Sequence, residues 1–350
     1  MGNMFSKEYS KIADLCRGIA AFLVIMGHCF LLAENQYGVA SWAIDVIYSF
    51  HMPLFMLICG YFSYKSYKKY GTRTFLCRRV ASFIPPLSVW ALLQTMWGII
   101  RGEIQAVSVV QSFLYKFFSN YWFIWAVLVL SCIVVVEDLS NRTVKNLIYI
   151  ILGITCLITP DEIINSAAIK FMLPYFIIGF KVAQMHININ ELFAKVCARK
   201  GNVFLLNVLF AILCFLWESN WRIDIAEFSL CGRDPINQLS IVMGRFLIGL
   251  INSCNVILDV CILHNWLLQN ISERKLQIIE TPLRWSGKNS MGCYLVHYYV
   301  INYILTRALL NVSEYNFFVI LCSSIAVWGI TAVGIIMIDK VHMRHILLGK

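Results

Sequence analysis

Three side chains near the start of the chain have the types and spacing of a site that moves a proton or holds an anion: Asp14, Arg17 and His28. Histidine titrates near neutrality and serves as general base or nucleophile, whereas arginine keeps its charge and grips phosphate or carboxylate. Asp14 and Arg17 are three apart, where charges on a helix offset each other, so a structural ion pair explains these two equally well. Arg17 and His28 are eleven apart, a count over which a helix returns to within about 20° of one face while rising about 16 Å. Side chains so placed serve different parts of one elongated ligand.

The segment that carries them is apolar, as is most of the chain. Of 350 residues 59% are apolar and 14% charged, and the mean hydropathy of +0.71 exceeds what a soluble globular surface tolerates. The expected fold class is all-α and polytopic, with about ten transmembrane helices in one membrane domain over residues 1–350 and no soluble accessory domain. Apolar runs place the spans near 11–33, 43–64, 80–100, 120–137, 146–159, 171–187, 202–217, 239–269, 285–305 and 316–338. The fifth is short; the eighth is long and its apolar pattern is interrupted near Asn252 and Ser253. Residues 1–9 lack the pattern of a cleaved signal, so the first span is expected to stay in the mature protein. Ile104 to Phe118 is more amphipathic than spanning and reads as an outer interfacial segment.

A net charge of +10 would suit nucleic acid only if concentrated on one accessible face, and here it is spread over loops, which excludes that partner. The spread fits the rule that basic residues stay in the cytoplasm. To that side go Lys7, Lys11, the cluster Lys65, Lys68, Lys69, Arg73, Arg78 and Arg79, then Arg142, Lys145, Lys181, Lys195, Arg199 and Lys200. Arg274, Lys275, Arg284, Lys288, Lys340, Arg344 and Lys350 continue it, while the other side receives only Arg101, Lys116, Lys170, Arg222, Arg233 and Arg307. Both termini are thus expected in the cytoplasm. The 13 cysteines form no CxxC pair and lie mostly in apolar runs, so they read as small buried hydrophobes, with neither metal nor disulfide. No repeat marks inverted transporter halves.

A charge at mid-membrane costs about 2.5 to 3.5 kcal/mol, against roughly 0.3 to 0.6 returned by each Leu, Ile, Phe or Val. Asp14 and Arg17 are therefore expected to face protein or water. At about 1.5 Å per residue, His28 falls near the outer boundary, His51 about 12 Å inside it, His297 at a similar level, and Arg245 in the outer half. Arg17, Arg78, Arg79 and Lys288 gather toward the cytoplasm, where phosphates could meet them. The expectation is a basic inner mouth and a histidine-rich outer chamber, although for each histidine taken singly a packing role is as strong a reading as chemistry.

These residues resemble the signature of the membrane acyltransferase 3 family of sugar O-acetylases, which includes fucose 4-O-acetylase-like proteins. The likeness rests on Asp14, Arg17, Gly18 and His28; on Phe50 to Phe55 with Cys59 to Phe62, Cys59 standing where the family usually has Ser; and on Arg78 and Arg79 ahead of Pro85, Pro86 and Trp90. The family often spaces those arginines by one residue, and here they are adjacent. Trp122 and Phe123, Leu173 to Phe176 with Gly179, and Gly287 to Ser290 leading through Tyr294 to His297 complete it, from about residue 11 to 340. The resemblance implies a ten-helix protein of the inner membrane. It would move an acyl group, usually acetyl, from acetyl-CoA to a hydroxyl of a cell-surface glycan or its lipid-linked precursor, without a metal and alongside glycan-biosynthesis enzymes. It makes His28, Arg17 and Asp14 the catalytic candidates, with His28 as base or acyl carrier. Arg78, Arg79 and Lys288 become candidates for the donor phosphates, and His51, His297 and Arg245 for acceptor or supporting contacts. An exporter of polysaccharide or lipid-linked glycan also suits ten helices with buried charge, and the missing repeat and the placement of Arg17 and His28 weigh against it.

Overall fold

Lipid offers no hydrogen-bond partner to a peptide group, so a chain this apolar must pair its backbone within each segment, and helices result. The computed structural model describes residues 2–37, 42–102, 104, 108–161, 163, 165–187, 196, 200–222, 227–230, 234–306 and 316–349, and these are helical with no strand among them. The helices are α1 (Gly2–Tyr37), α2 (Trp42–Tyr70), α3 (Thr72–Ile100), α4 (Val109–Tyr115), α5 (Trp122–Leu139), α6 (Arg142–Ile158) and α7 (Ser166–Gln184). They continue with α8 (Lys200–Phe215), α9 (Pro235–Asn270), α10 (Glu273–Lys288), α11 (Ser290–Tyr299) running into a π-helical turn Val300–Leu305, α12 (Phe317–Lys340) and α13 (Arg344–Leu348). Seven of them, α1, α2, α3, α5, α7, α9 and α12, are long and apolar enough to cross a membrane. The other three expected spans fall on shorter pieces: α6 has 17 residues, α8 has 16, and 285–305 is divided among α10, α11 and the π turn. Seventeen residues rise only about 26 Å, against a hydrocarbon core of about 30 Å. Lys195, Arg199, Arg233, Arg307 and Lys350, and the side chains of Lys7 and Lys200, lie outside the described residues.

One question left open is answered and one expectation needs correction. Across the interruption near Asn252 and Ser253, α9 runs unbroken from Pro235 to Asn270. Asn252 Nδ2 donates to Ser49 Oγ at 3.2 Å and to Cys214 Sγ at 3.5 Å, and Ser253 Oγ donates to the Phe50 carbonyl at 3.2 Å. Polar side chains that looked like a helix end are instead bolts to α2 and α8. The basic stretch from Lys65 to Arg79, expected as a loop ahead of a span at 80, is also helical: α2 ends at Tyr70, α3 starts at Thr72, and Gly71 alone turns the chain at φ 74°. That φ is open to glycine and strained for other residues.

The chain divides into two compact units. The first comprises Met1–Ile58, His186–Arg222 and Arg245–Met337; the second comprises Cys59–Met185, Ile223–Gly244 and Ile338–Lys350. In the second unit, α2 lies directly on α7, since a methyl at Gly60 would overlap the Phe176 carbonyl oxygen, and Tyr64 meets Phe180 edge-on at 5.2 Å. The segment Ile104 to Phe118, described at residue 104 and from 108, is pinned to α3. Ile104 covers Gly98, Lys116 donates to the Gln94 carbonyl at 3.0 Å, and Val110 and Tyr115 remain exposed.

The same unit holds a latch centred on Asp161, whose side chain is 10% exposed. Its carboxylate accepts from Lys170 at 2.8 Å and from the amides of Phe228 and Ser229 at 2.6 and 2.7 Å, and the Leu230 amide donates to the Leu157 carbonyl. Burial works against its charge, but Lys170 and the two amides outweigh burial and hold the carboxyl below the usual carboxylate range. A depressed folded pKa stabilises the fold above the unfolded pKa of about 4 and loses that contribution as pH falls through the lower folded value. Melting of the purified protein followed from about pH 7 down to pH 3 should therefore show an acid limb below about pH 4 that Asp161→Asn lacks. At neutral pH that variant should be less stable by about 1–3 kcal/mol.

Candidate active site

The site is built from the crossing of α1 with α10 in the first unit. A methyl at Gly18 would overlap the Leu283 carbonyl oxygen, and one at Gly287 would overlap the Asp14 carbonyl oxygen. Glycine on both helices therefore lets the two backbones touch, which larger residues would prevent. Contact this close brings the end of α10 within reach of Arg17, whose Nε and Nη2 both donate to the Gly287 carbonyl, at 3.1 and 2.5 Å.

That carbonyl belongs to the last turn of α10, where helix geometry leaves oxygens without intrahelical partners. Trp285 O accepts from the Asn289 amide at 2.9 Å and from Asn289 Nδ2 at 3.0 Å; Gly287 O takes the guanidinium. A cation at a helix C-terminus is also favoured by the helix dipole. Arg17 is thus a cap as well as a charge. Asp14 is buried at the same crossing. Ser286, beside the capped carbonyl, accepts from Trp328 Nε1 at 2.8 Å, and Trp328 meets Phe22 edge-on at 5.4 Å, so α12 clamps α10 and α1 together.

Asn289 marks the change of direction into α11, and two turns on His297 comes beside His28 of α1. Their ring centroids are 5.2 Å apart with the planes tilted by 37°. Because α1 is one unbroken helix, Arg17 and His28 keep the offset of about 16 Å on one face and engage successive parts of one short segment, Gly287 and His297. His51 lies in the same unit, buried, with its ring 4.8 Å from that of Tyr48, and Tyr48 covers Gly27 next to His28. His28 is within electrostatic reach of both other rings.

The backbone also sets two tautomers. A carbonyl only accepts, so the short contacts of His51 Nδ1 with Ile47 O at 2.6 Å and of His297 Nδ1 with Cys293 O at 2.9 Å put a proton on each Nδ1. In the neutral rings Nε2 is then the basic atom. His51 and His297 are buried while His28 is exposed, which leaves His28 as the accessible member of the three.

Arg245 is enclosed in this unit with none of its surface exposed, and Lys288, the last residue of α10, is exposed. Arg78 and Arg79 belong to the second unit and differ from each other. Exposed Arg78 lies over the Tyr70 ring at 4.4 Å, whereas half-buried Arg79 donates to Ser63 Oγ at 2.7 Å and packs over Phe75 and Phe83.

One polar contact that went unread in the sequence joins two helices: buried His264 of α9 bonds through Nδ1 to buried Glu280 of α10. An ionisable residue inside the apolar run of α9 was the available signal. Its partner sits in a polar amphipathic helix and gave none. The pair holds α9 on α10 two turns before Gly287.

The sequence that folds into this crossing has relatives among known proteins. Residues 11–337 match the acyltransferase domain family, and the chain belongs to that family. It is similar to two curated relatives, both called nodulation protein NolL. That of Sinorhizobium fredii is 28% identical over 233 residues, covering 62% of this chain and 58% of the relative. That of Mesorhizobium japonicum is 28% identical over 180 residues, covering 49% and 47%. The chain thus aligns with about half the length of these relatives. No solved structure matches.

If the backbone contact sets the site, a single methyl should disturb it. Gly18→Ala and Gly287→Ala are each expected to lower stability by about 1–3 kcal/mol, read as a drop in melting temperature with loss of activity. Gly153→Ala and Gly329→Ala, where an added methyl meets nothing within 4 Å, should leave both unchanged.

Proposed function

We propose that the chain moves an acetyl group from acetyl-CoA to a hydroxyl of a cell-surface glycan or its lipid-linked precursor. In this reading it crosses the inner membrane ten times with both termini in the cytoplasm, and it works beside the enzymes that build the glycan. The observation that carries the proposal is His28, accessible and beside the tilted His297 ring, on the same helix face as Arg17 in a chain of the acyltransferase family.

The donor contributes an activated thioester. His28 accepts the proton of the acceptor hydroxyl as that oxygen attacks the thioester carbonyl, so that a C–O bond replaces the C–S bond. The proton then passes to the departing thiolate, and the ring returns to its neutral form. A neutral ring suits this task. His297 and His51 orient the site and contact the acceptor. Arg17 fixes the crossing on which His28 depends, with Asp14 enclosed beside it. Exposed Lys288 and Arg78 have the charge to meet the donor phosphates from the cytoplasmic side, as does inward-turned Arg79, while enclosed Arg245 supports the acceptor side.

Membranes carrying His28→Ala at normal protein level should transfer radiolabelled acetyl groups at least about 100-fold more slowly than wild type. Wild-type transfer would remove His28 from the mechanism. Failure of the intact protein to consume acetyl-CoA at all would favour the exporter.

A further inference from the structure

The α2–α3 hairpin of the second unit is densely positive. Lys65, Lys68, Lys69, Arg73, Arg78 and Arg79 fall within fifteen residues, in a stretch from 46 to 102 with no acidic residue. The turn between the helices is Gly71 alone, so these cations stand on two helix ends and not on a loose loop. Lys65, Lys68 and Lys69 have i, i+3 and i+4 spacing, which puts them on one face, and all three are exposed, as are Arg73 and Arg78.

A ladder of tyrosines underlies them. Lys65 lies 4.6 Å from the Tyr61 ring, Lys68 5.7 and 5.8 Å from Tyr64 and Tyr67, and Lys69 5.0 Å from Tyr70, whose ring also holds Arg78. Ring faces attract cations, and tyrosine itself favours the headgroup level of a bilayer, apolar body inward and hydroxyl outward. The 29 residues of α2 rise about 44 Å, so about nine of them extend beyond a hydrocarbon core of about 30 Å. Lys65, Lys68 and Lys69 stand in the last six residues of α2.

We infer that this hairpin is a docking surface for anionic phospholipid headgroups, with Lys65, Lys68, Lys69 and Arg73 meeting the phosphates of the cytoplasmic leaflet. Charge complementarity carries the choice of partner, because basic clusters beside a membrane span are drawn to anionic leaflets. Arg79 stands apart from this surface, turned inward onto Ser63, Phe75 and Phe83. The inference does not rest on the acyltransferase mechanism.

The full chain is reconstituted in nanodiscs of phosphatidylcholine with and without phosphatidylglycerol, and the lipid composition of its bound shell is measured, together with binding of coenzyme A. The triple substitution K65Q/K68Q/K69Q should lower the preference for phosphatidylglycerol at least about tenfold and leave coenzyme A binding unchanged, while K65R/K68R/K69R keeps both. A glutamine variant with wild-type lipid preference would overturn the inference, and so would one that keeps the preference but loses coenzyme A. Wild type gives a second reading that needs no variant. Its preference should collapse near 1 M salt, where screening shortens to about 3 Å, and a preference indifferent to salt would also overturn the inference.

Discussion

The first unit depends on two backbones touching where α1 crosses α10. Gly18 and Gly287 make the contact, and the Arg17 fork on the Gly287 carbonyl closes it. Each part needs the other. Without the glycines the guanidinium would not reach the carbonyl, and without the guanidinium the last turn of α10 would leave an acceptor unmet beside a buried carboxylate, Asp14. From this crossing α11 departs at Asn289, and the placement of His297 against His28 follows from its direction. A charge inside an apolar helix is costly; here the cost is offset because one side chain serves as helix cap, dipole partner and fastener.

Several polar groups elsewhere in the helices are handled in the same way, by a partner on another helix. Asn252 and Ser253 bolt α9 to α2 and α8, and His264 ties α9 to α10. Lys170 pairs with Asp161 and Arg222 with Glu34, both at 2.8 Å, and Lys181 with Glu137 at 2.7 Å. The basic hairpin at Gly71 is different: its lysines stay exposed over tyrosine rings.

Much of this was legible from residue order. Apolar runs located the seven helices long enough to cross a membrane, because burial in lipid imposes length and composition directly, while the other three expected spans fall on shorter pieces. The eleven-residue offset of Arg17 and His28 survived because a helix keeps its register whatever surrounds it. What could not be read were features settled by residues far away in the chain. Asn252 and Ser253 looked like a helix end because their partners on α2 and α8 are about 40 to 200 positions distant. Glu280 drew no reading because nothing near it announces His264. Arg78 and Arg79 looked equivalent, and their separation into outward and inward roles arises from a turn of one residue. The crossing left a faint trace, glycine at 18 and 287, and no local rule pairs glycines 269 positions apart.

The account stands on α1 presenting His28 to the segment after α10. Single cysteines placed at 28 and 297 in a background without the native cysteines, treated in membranes with a short thiol cross-linker, test this most directly. Position 28 should join to 297, and position 23, about 140° around the same helix, should not. Cross-linking from 23 with none from 28 would mean that α1 is turned the other way, and the proposed site would not exist.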